Sequence, residues 1–228
     1  YDIVGWEDIK DSLGQQLVDY LNTGAAVVAL DPNKVPQAVT IYAESTPNPS
    51  VMKYVANKLI VPALFEFKNI DEAKDAPLAK ELFLMPFVKE VFMDQNYISV
   101  TKYDVAEWEE INNELREKIR LFLMSGQESV GANTVQKEKE KAPTTLLHTD
   151  NLDDTSKQIV DILEEYVKPA VASDGGNIMF DSYDEVSKTV NVILQGACSG
   201  CPSSTFTLKN GIENMLKNMM GDKVAQVI

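Results

Sequence analysis

One stretch of this chain occurs twice, and that duplication constrains the fold more than any short motif does. Laid over "YDVAEWEEINNELREKIRLFLMSG" (103–126), the opening "YDIVGWEDIKDSLGQQLVDYLNTG" (1–24) matches without a gap. Eight positions are identical, among them Glu7/Glu109, Leu13/Leu115 and Gly24/Gly126, and the only two tryptophans, Trp6 and Trp108, coincide. In the second copy Trp108, Ile111, Leu115, Ile119 and Phe122 recur at helical spacing, and Gly126 suits a helix C-terminus. Two unrelated helices would share that spacing but not the Tyr-Asp and Trp-Glu pairs. Each copy therefore reads as a strand end followed by an amphipathic helix. If the second copy begins near Ala38, the strands of the first are expected to precede Tyr1, which is not a Met and so not the expected natural start. Residues 1–24 are then the remnant helix of a truncated first repeat, and 25–37, with two prolines, a connector.

Ahead of the second helix, "AVTIYAES" alternates as a strand. "TPNP" is a turn, with Pro49 placed to open a short helical stretch over "SVMKYVAN". "LIVPALFEFK" supplies strand material, "DAPLAKELFLM" a helix opened by Pro77, and "PFVKEVFMDQNYISVTKY" a hairpin turning at Gln95-Asn96. This order predicts an α+β domain over 38–126. Residues 127–153, with the run "KEKEK" and little apolar periodicity, read as a flexible linker. His148, the only histidine, falls there and reads as solvated rather than as a metal ligand.

A second small α/β domain is predicted over 154–228. Asp154 or Thr155 can cap a helix with Ile159, Ile162, Leu163, Tyr166 and Val167 on its buried stripe, and Pro169 bends its last turns. Asp174-Gly175-Gly176 turns into "NIMFDSYDE", and "KTVNVILQ" pairs with it, Val190, Val192 and Leu194 on one face. A helix from near Ser203 buries Leu208, Ile212, Met215, Leu216 and Met219, and "KVAQVI" adds a strand. The predicted order is α-β-β-α-β.

Charge removes several functions. With 35 acidic against 21 basic residues the net charge is −14, which repels nucleic acid and anionic membrane surfaces. No apolar run approaches the roughly 18 residues of a membrane span. The opening "YDIVGWEDIK" has no basic region before an apolar stretch, and two close cysteines make no secreted disulfide framework, so a reducing cytoplasm is the expected location.

Those two cysteines, Cys198 and Cys201 in "GACSGCPSS", carry the chemistry. The loop lies between a strand and a helix N-terminus, where unpaired N–H groups and the helix dipole favour thiolate. Gly196 and Gly200 let backbone amides approach sulfur, and Pro202 fixes the helix entrance. Three chemistries use such a pair. A dithiol–disulfide oxidoreductase attacks with one cysteine and resolves with the other, although the tryptophan common beside thioredoxin motifs is absent. Zinc in an adaptor and an iron–sulfur cluster both want four ligands, of which one chain supplies two. An isologous contact between two chains doubles the set.

"GACSGCPSSTFTLKNGIE" with the upstream "DGG" resembles the carboxy-terminal domain of NifU and the Nfu family of iron–sulfur scaffold and carrier proteins. "ESTPNPSVMKYV", with the rest of 38–126, is similar to the amino-terminal domain that accompanies it in many Nfu proteins. The resemblance implies that Cys198 and Cys201 of two chains hold one [4Fe–4S] cluster, received from upstream assembly proteins and delivered to apo-proteins by ligand exchange rather than enzymatic turnover. It departs from the family pattern at Lys168, where arginine is common, and at Asn177, where aspartate is common. Neither departure removes a ligand.

Overall fold

The computed structural model describes residues 38–132, 134, 152–199 and 202–228, with the helical positions 14, 18 and 21 ahead of them. The remnant helix, apart from those three positions, lies outside the described residues, as do the connector, His148, Gly200 and Cys201. Residues Val39–Ile228 pack as one unit.

Its first part is an α+β layer. Strands β1 (Ile41–Ser45), β2 (Val51–Ala56), β3 (Phe65–Phe67), β4 (Val88–Asp94) and β5 (Tyr97–Lys102) form an antiparallel sheet in the order β1-β2-β5-β4-β3. Helices α1 (Pro77–Phe83) and α2 (Trp108–Met124) cover one face, where Tyr54, Met93 and Ile98 meet Leu78, Leu82, Leu115 and Ile119, all fully buried. Burying each Leu or Ile contributes about 1.5–3 kcal/mol. Pro77 opens α1 with its φ preset and no N–H to orphan, Gln95 takes the hairpin turn at φ 45°, and Gly126 follows α2 at φ 74°.

The short helix expected over "SVMKYVAN" is instead β2. Thr46 Oγ1 donates to the carbonyls of Asn48 and Val51, and the amide of Ser50 donates to Asn48 Oδ1. These bonds make "TPNPS" a hairpin connection rather than a helix entrance. Strand β2 is also buried on both faces, so it lacks the alternation of a half-exposed strand. The segment after Gly126, expected to be flexible, is anchored as far as Thr134. Val130 is buried, Gly131 N–H donates to the Asp75 carbonyl at 2.7 Å, and Thr134 N–H donates to the Asp75 carboxylate at 3.1 Å.

The second part has the element order read from the sequence. Helix α3 (Asp154–Ile162) passes through a π turn, Leu163–Val167, into α4 (Lys168–Ser173). Strands β6 (Gly176–Asp184) and β7 (Thr189–Gly196) form an antiparallel hairpin, and α5 (Pro202–Met220) returns β8 (Gln226–Val227) parallel to β7. Ile159, Val171, Ile178, Val190, Ile212 and Leu216 fill the core.

Three local readings are corrected. The cap of α3 is Asp153, whose carboxylate accepts from Thr155 N–H at 2.8 Å and Ser156 N–H at 3.0 Å. Tyr166 is exposed, because Pro169 has no N–H for the preceding turn and the widened π turn rotates Tyr166 outward. Met219 is exposed too, since the buried ridge of α5 runs Ile212, Leu216, Met220 at intervals of four.

Candidate metal centre

Cys198 sits one residue past Ala197 at the corner where β7 ends. Gly196, at φ 64°, pairs with Gly176, and Ala197 N–H donates to the Gly175 carbonyl at 3.2 Å. Ser199 closes the turn through N–H and hydroxyl bonds to the Gly196 carbonyl at 3.1 and 2.9 Å. From α5, the Thr205 hydroxyl donates to the Cys198 carbonyl at 3.1 Å.

The sulfur is turned inward. Cys198 is only 6% exposed and belongs to the core of its domain, and a β-carbon on Gly176 would stand 2.9 Å from Sγ. Gly176 is the residue that makes room for it. Burial, and after it the negative charge of Asp174, pushes the thiol up to about 11. The expected thiolate preference is thus reversed at Cys198, because the first residue of α5 is Pro202 and the sulfur lies against β6 instead. A cleft of about 330 Å³ opens beside it, lined by Pro47, Asn48, Asp174, Ala197, Cys198 and Leu208 among others.

Sequence reasoning missed the contribution of the first domain. Five of its side chains meet main-chain groups of the cysteine corner. Ser99 Oγ donates to the Gly175 carbonyl at 2.6 Å, Tyr97 O–H to that of Gly176 at 3.0 Å, and Lys53 Nζ to that of Ser173 at 3.1 Å. Asn48 Nδ2 donates to the Ala197 carbonyl at 3.2 Å, and Gly196 N–H donates to Glu66 Oε1 at 3.0 Å. The Gly196 amide, next to the cysteine loop, is thus taken by a carboxylate of the first domain. The signal was present in β5, where Tyr97 and Ile98 are both large and lie on opposite faces.

The two departures have plain surroundings. Buried Asn177 donates from Nδ2 to Gln195 Oε1 at 3.1 Å across the β6–β7 pair, and Lys168 pairs with Glu164 at 2.7 Å on an exposed helix face. Among the described residues no group of three or more His, Cys, Asp or Glu could hold a metal ion. A soft thiol beside a partly apolar cleft fits a soft metal or a cluster arriving with further thiolates.

Both domains match family models, residues 41–126 that of "Scaffold protein Nfu/NifU N terminal" and residues 159–228 that of "NifU-like domain". The chain belongs to the Nfu family. It is 35% identical over 183 residues to "NifU-like protein 4, mitochondrial" of Arabidopsis thaliana, covering 80% of this chain and 63% of the relative. It is 35% identical over 179 residues to "NFU1 iron-sulfur cluster scaffold homolog, mitochondrial" of Drosophila willistoni, covering 78% and 59%. The chain thus spans less than two thirds of these Nfu relatives. The solution NMR structure of a NifU-like protein from Saccharomyces cerevisiae aligns with 42% of this chain and 87% of its own, at 20% identity and a TM-score of 0.38.

Proposed function

We propose that this Nfu chain is an iron–sulfur cluster scaffold and carrier. Cys198 and Cys201 of two chains together hold one [4Fe–4S] cluster, which passes to apo-proteins as their thiolates replace those of the carrier. Cluster, here, is cargo. The observation that carries the reading is Cys198 itself, buried at a glycine-lined corner and lining a cleft at the edge of its domain. Each chain supplies only two of the four cysteines a cluster usually takes, so the cluster can be released when the chains part or a client's thiolates replace theirs.

What this chain supplies is position. Gly176 and the left-handed Gly196 fold β6 and β7 so that Cys198 lies at the edge of the cleft with its sulfur against β6, and Thr205 ties the loop to α5. Binding iron displaces the proton that burial keeps on the thiol. The partners are a second copy through the CxxC domain, upstream assembly proteins, and apo iron–sulfur clients; nucleic acid and membrane are not among them. No helix among the described residues is long and apolar enough to cross a membrane. The reading needs a reducing compartment, for which the cytoplasm is our assignment, and requires no enzymatic turnover.

A dithiol oxidoreductase needs an accessible thiolate to attack, which a buried Cys198 with a raised pKa opposes. Anaerobic reconstitution with iron and sulfide, followed by absorption spectroscopy and sedimentation, decides. A brown dimer with about four irons per two chains supports the carrier, whose cluster takes four cysteines. A colourless monomer that keeps its thiols free defeats it, and a colourless zinc-bound form favours the zinc adaptor.

A further inference from the structure

The sheet face opposite α1 and α2 is an odd surface for a free domain. Lys53 and Ser99 are register partners on β2 and β5, Phe92 lies opposite Ser99 on β4, and Tyr97 stands two residues along. Lys53, Tyr97 and Ser99 are each less than a tenth exposed, yet none belongs to the core between sheet and helices. They are buried because the second domain lies on them.

What they recognise is backbone. Ser173, Gly175 and Gly176 present carbonyls to Lys53, Ser99 and Tyr97, and Gly196 presents its N–H to Glu66. The fit depends on missing side chains: a β-carbon at Gly175 would come 2.6 Å from Ser99 Oγ, and one at Gly196 would come 2.9 Å from Phe92 Cγ. These glycines therefore serve two ends, the left-handed turn and a close approach by another domain. Such hydrogen bonds exchange with water at small net gain, so a contact built mainly of them can open.

Resting on the carrier reading, we propose that this face is a reversible closing surface for the cysteine corner: the docked chain is the apo form, and loading a shared cluster requires it to let go. Two features make the docked form a poor host. The Gly196 N–H, beside the cysteine loop, is held by the Glu66 carboxylate and is withheld from sulfur. Pro47 and Asn48 of the first domain wall the cleft that Cys198 lines, so a second chain's cysteines must approach where that wall stands. Asn48 also holds the Ala197 carbonyl in the same closed position.

The test uses the full chain and two readouts in the apo form. Acetylation of Lys53 and alkylation of Cys198, the latter in a Cys201→Ser background, are tracked by mass spectrometry. Ser99→Arg places a long side chain where Gly175 leaves no space, on the face away from the helical core. Both sites are expected to react at least tenfold faster in Ser99→Arg than in the parent. If circular dichroism shows that Ser99→Arg does not fold, Glu66→Ala removes the acceptor of Gly196 without adding bulk and is expected to raise both rates severalfold.

Reconstitution with iron and sulfide is then expected to proceed faster in the opened variant with both cysteines present, and to expose Lys53 in the parent. Equal labelling rates in parent and opened variants, or a Lys53 that stays protected in a cluster-loaded dimer, overturns the closing surface. A chain that takes up no cluster in any variant, yet labels faster when opened, overturns the carrier reading and the loading step while leaving the intramolecular dock in place.

Discussion

A β-carbon on Gly176 would stand 2.9 Å from the sulfur of Cys198 and 2.7 Å from the carbonyl oxygen of Gln195. The sulfur could swing away, but the carbonyl belongs to β7, which is locked to β6 through the Asn177–Gln195 pair. Gly176→Ala therefore forces a backbone shift at the corner and is expected to destabilise the protein by about 1–3 kcal/mol, as overpacking of a filled core does. Urea unfolding measures the loss. The same variant should expose Cys198, so alkylation in a Cys201→Ser background should quicken; an unchanged midpoint with unchanged alkylation would show that the glycine is not the seat of the cysteine.

The protonation of Cys198 makes cluster loading pH-dependent. With its thiol pushed up to about 11, first by burial and then by Asp174, Cys198 is protonated throughout the neutral range. Iron must displace that proton, and the competition weakens as pH rises. Affinity should therefore climb with pH between about 7 and 9, by about tenfold per unit for each Cys198 thiolate formed. Reconstitution titrations across that range measure the slope. Asp174→Asn removes the smaller cause, so the thiolate absorbance of a Cys201→Ser chain should titrate at lower pH in that variant, with burial still keeping it above the ordinary thiol. A flat loading curve would mean that Cys198 does not bind as thiolate.

Much of this was legible because the residues concerned answer to local rules. Pro77, Gln95-Asn96 and Gly126 mark their turns wherever the rest of the chain goes, and the stripe Ile111, Leu115, Ile119 finds its sheet by period alone. Strand β2 was not legible, because a strand covered on both faces loses its alternation, and what covers its outer face is more than a hundred residues away in sequence, at Ser173. The same distance hid the roles of Lys53, Glu66 and Ser99, which mean little until Gly175 and Gly196 are laid on them. Cys198 was found by its motif, but its inward turn comes from packing against Gly176 and not from its place ahead of a helix.

The cap of α3 offers a smaller, cleaner test. Asp153 accepts from the backbone N–H of Thr155 and Ser156, and the Ser156 hydroxyl, the largest influence, together with those amides holds its carboxyl below the ordinary value. Asp153→Ala should cost about 1 kcal/mol at neutral pH, and Asp153→Asn, which keeps a side-chain oxygen at the cap but not the charge, should lose part of that. A depressed carboxyl contributes stability that is present above its unfolded pKa, about 3.9, and is lost as pH falls through the folded value. The gap between parent and alanine variant in urea midpoints should thus be full at pH 7 and shrink under strongly acidic conditions. A constant gap would assign the cap to shape rather than charge.

Tyr54 carries the prediction of opposite sign. Its ring is fully buried in the core beneath α2, and its hydroxyl has no hydrogen-bond partner among the described residues. Burial, only partly offset by the charge of Arg116, raises its pKa far above the ordinary tyrosine value, so the phenol stays neutral at any working pH. A buried hydroxyl left without a partner costs about 1–3 kcal/mol. Tyr54→Phe removes that group and keeps the ring, so it should leave stability unchanged or raise it by about 1 kcal/mol, a result uncommon for a core substitution. Tyr54→Leu, which loses ring volume from the same site, should instead destabilise. Urea midpoints for the pair separate the ring from the hydroxyl: a Tyr54→Phe chain less stable than the parent would mean that the hydroxyl is bonded, and the search for its partner would begin at Arg116.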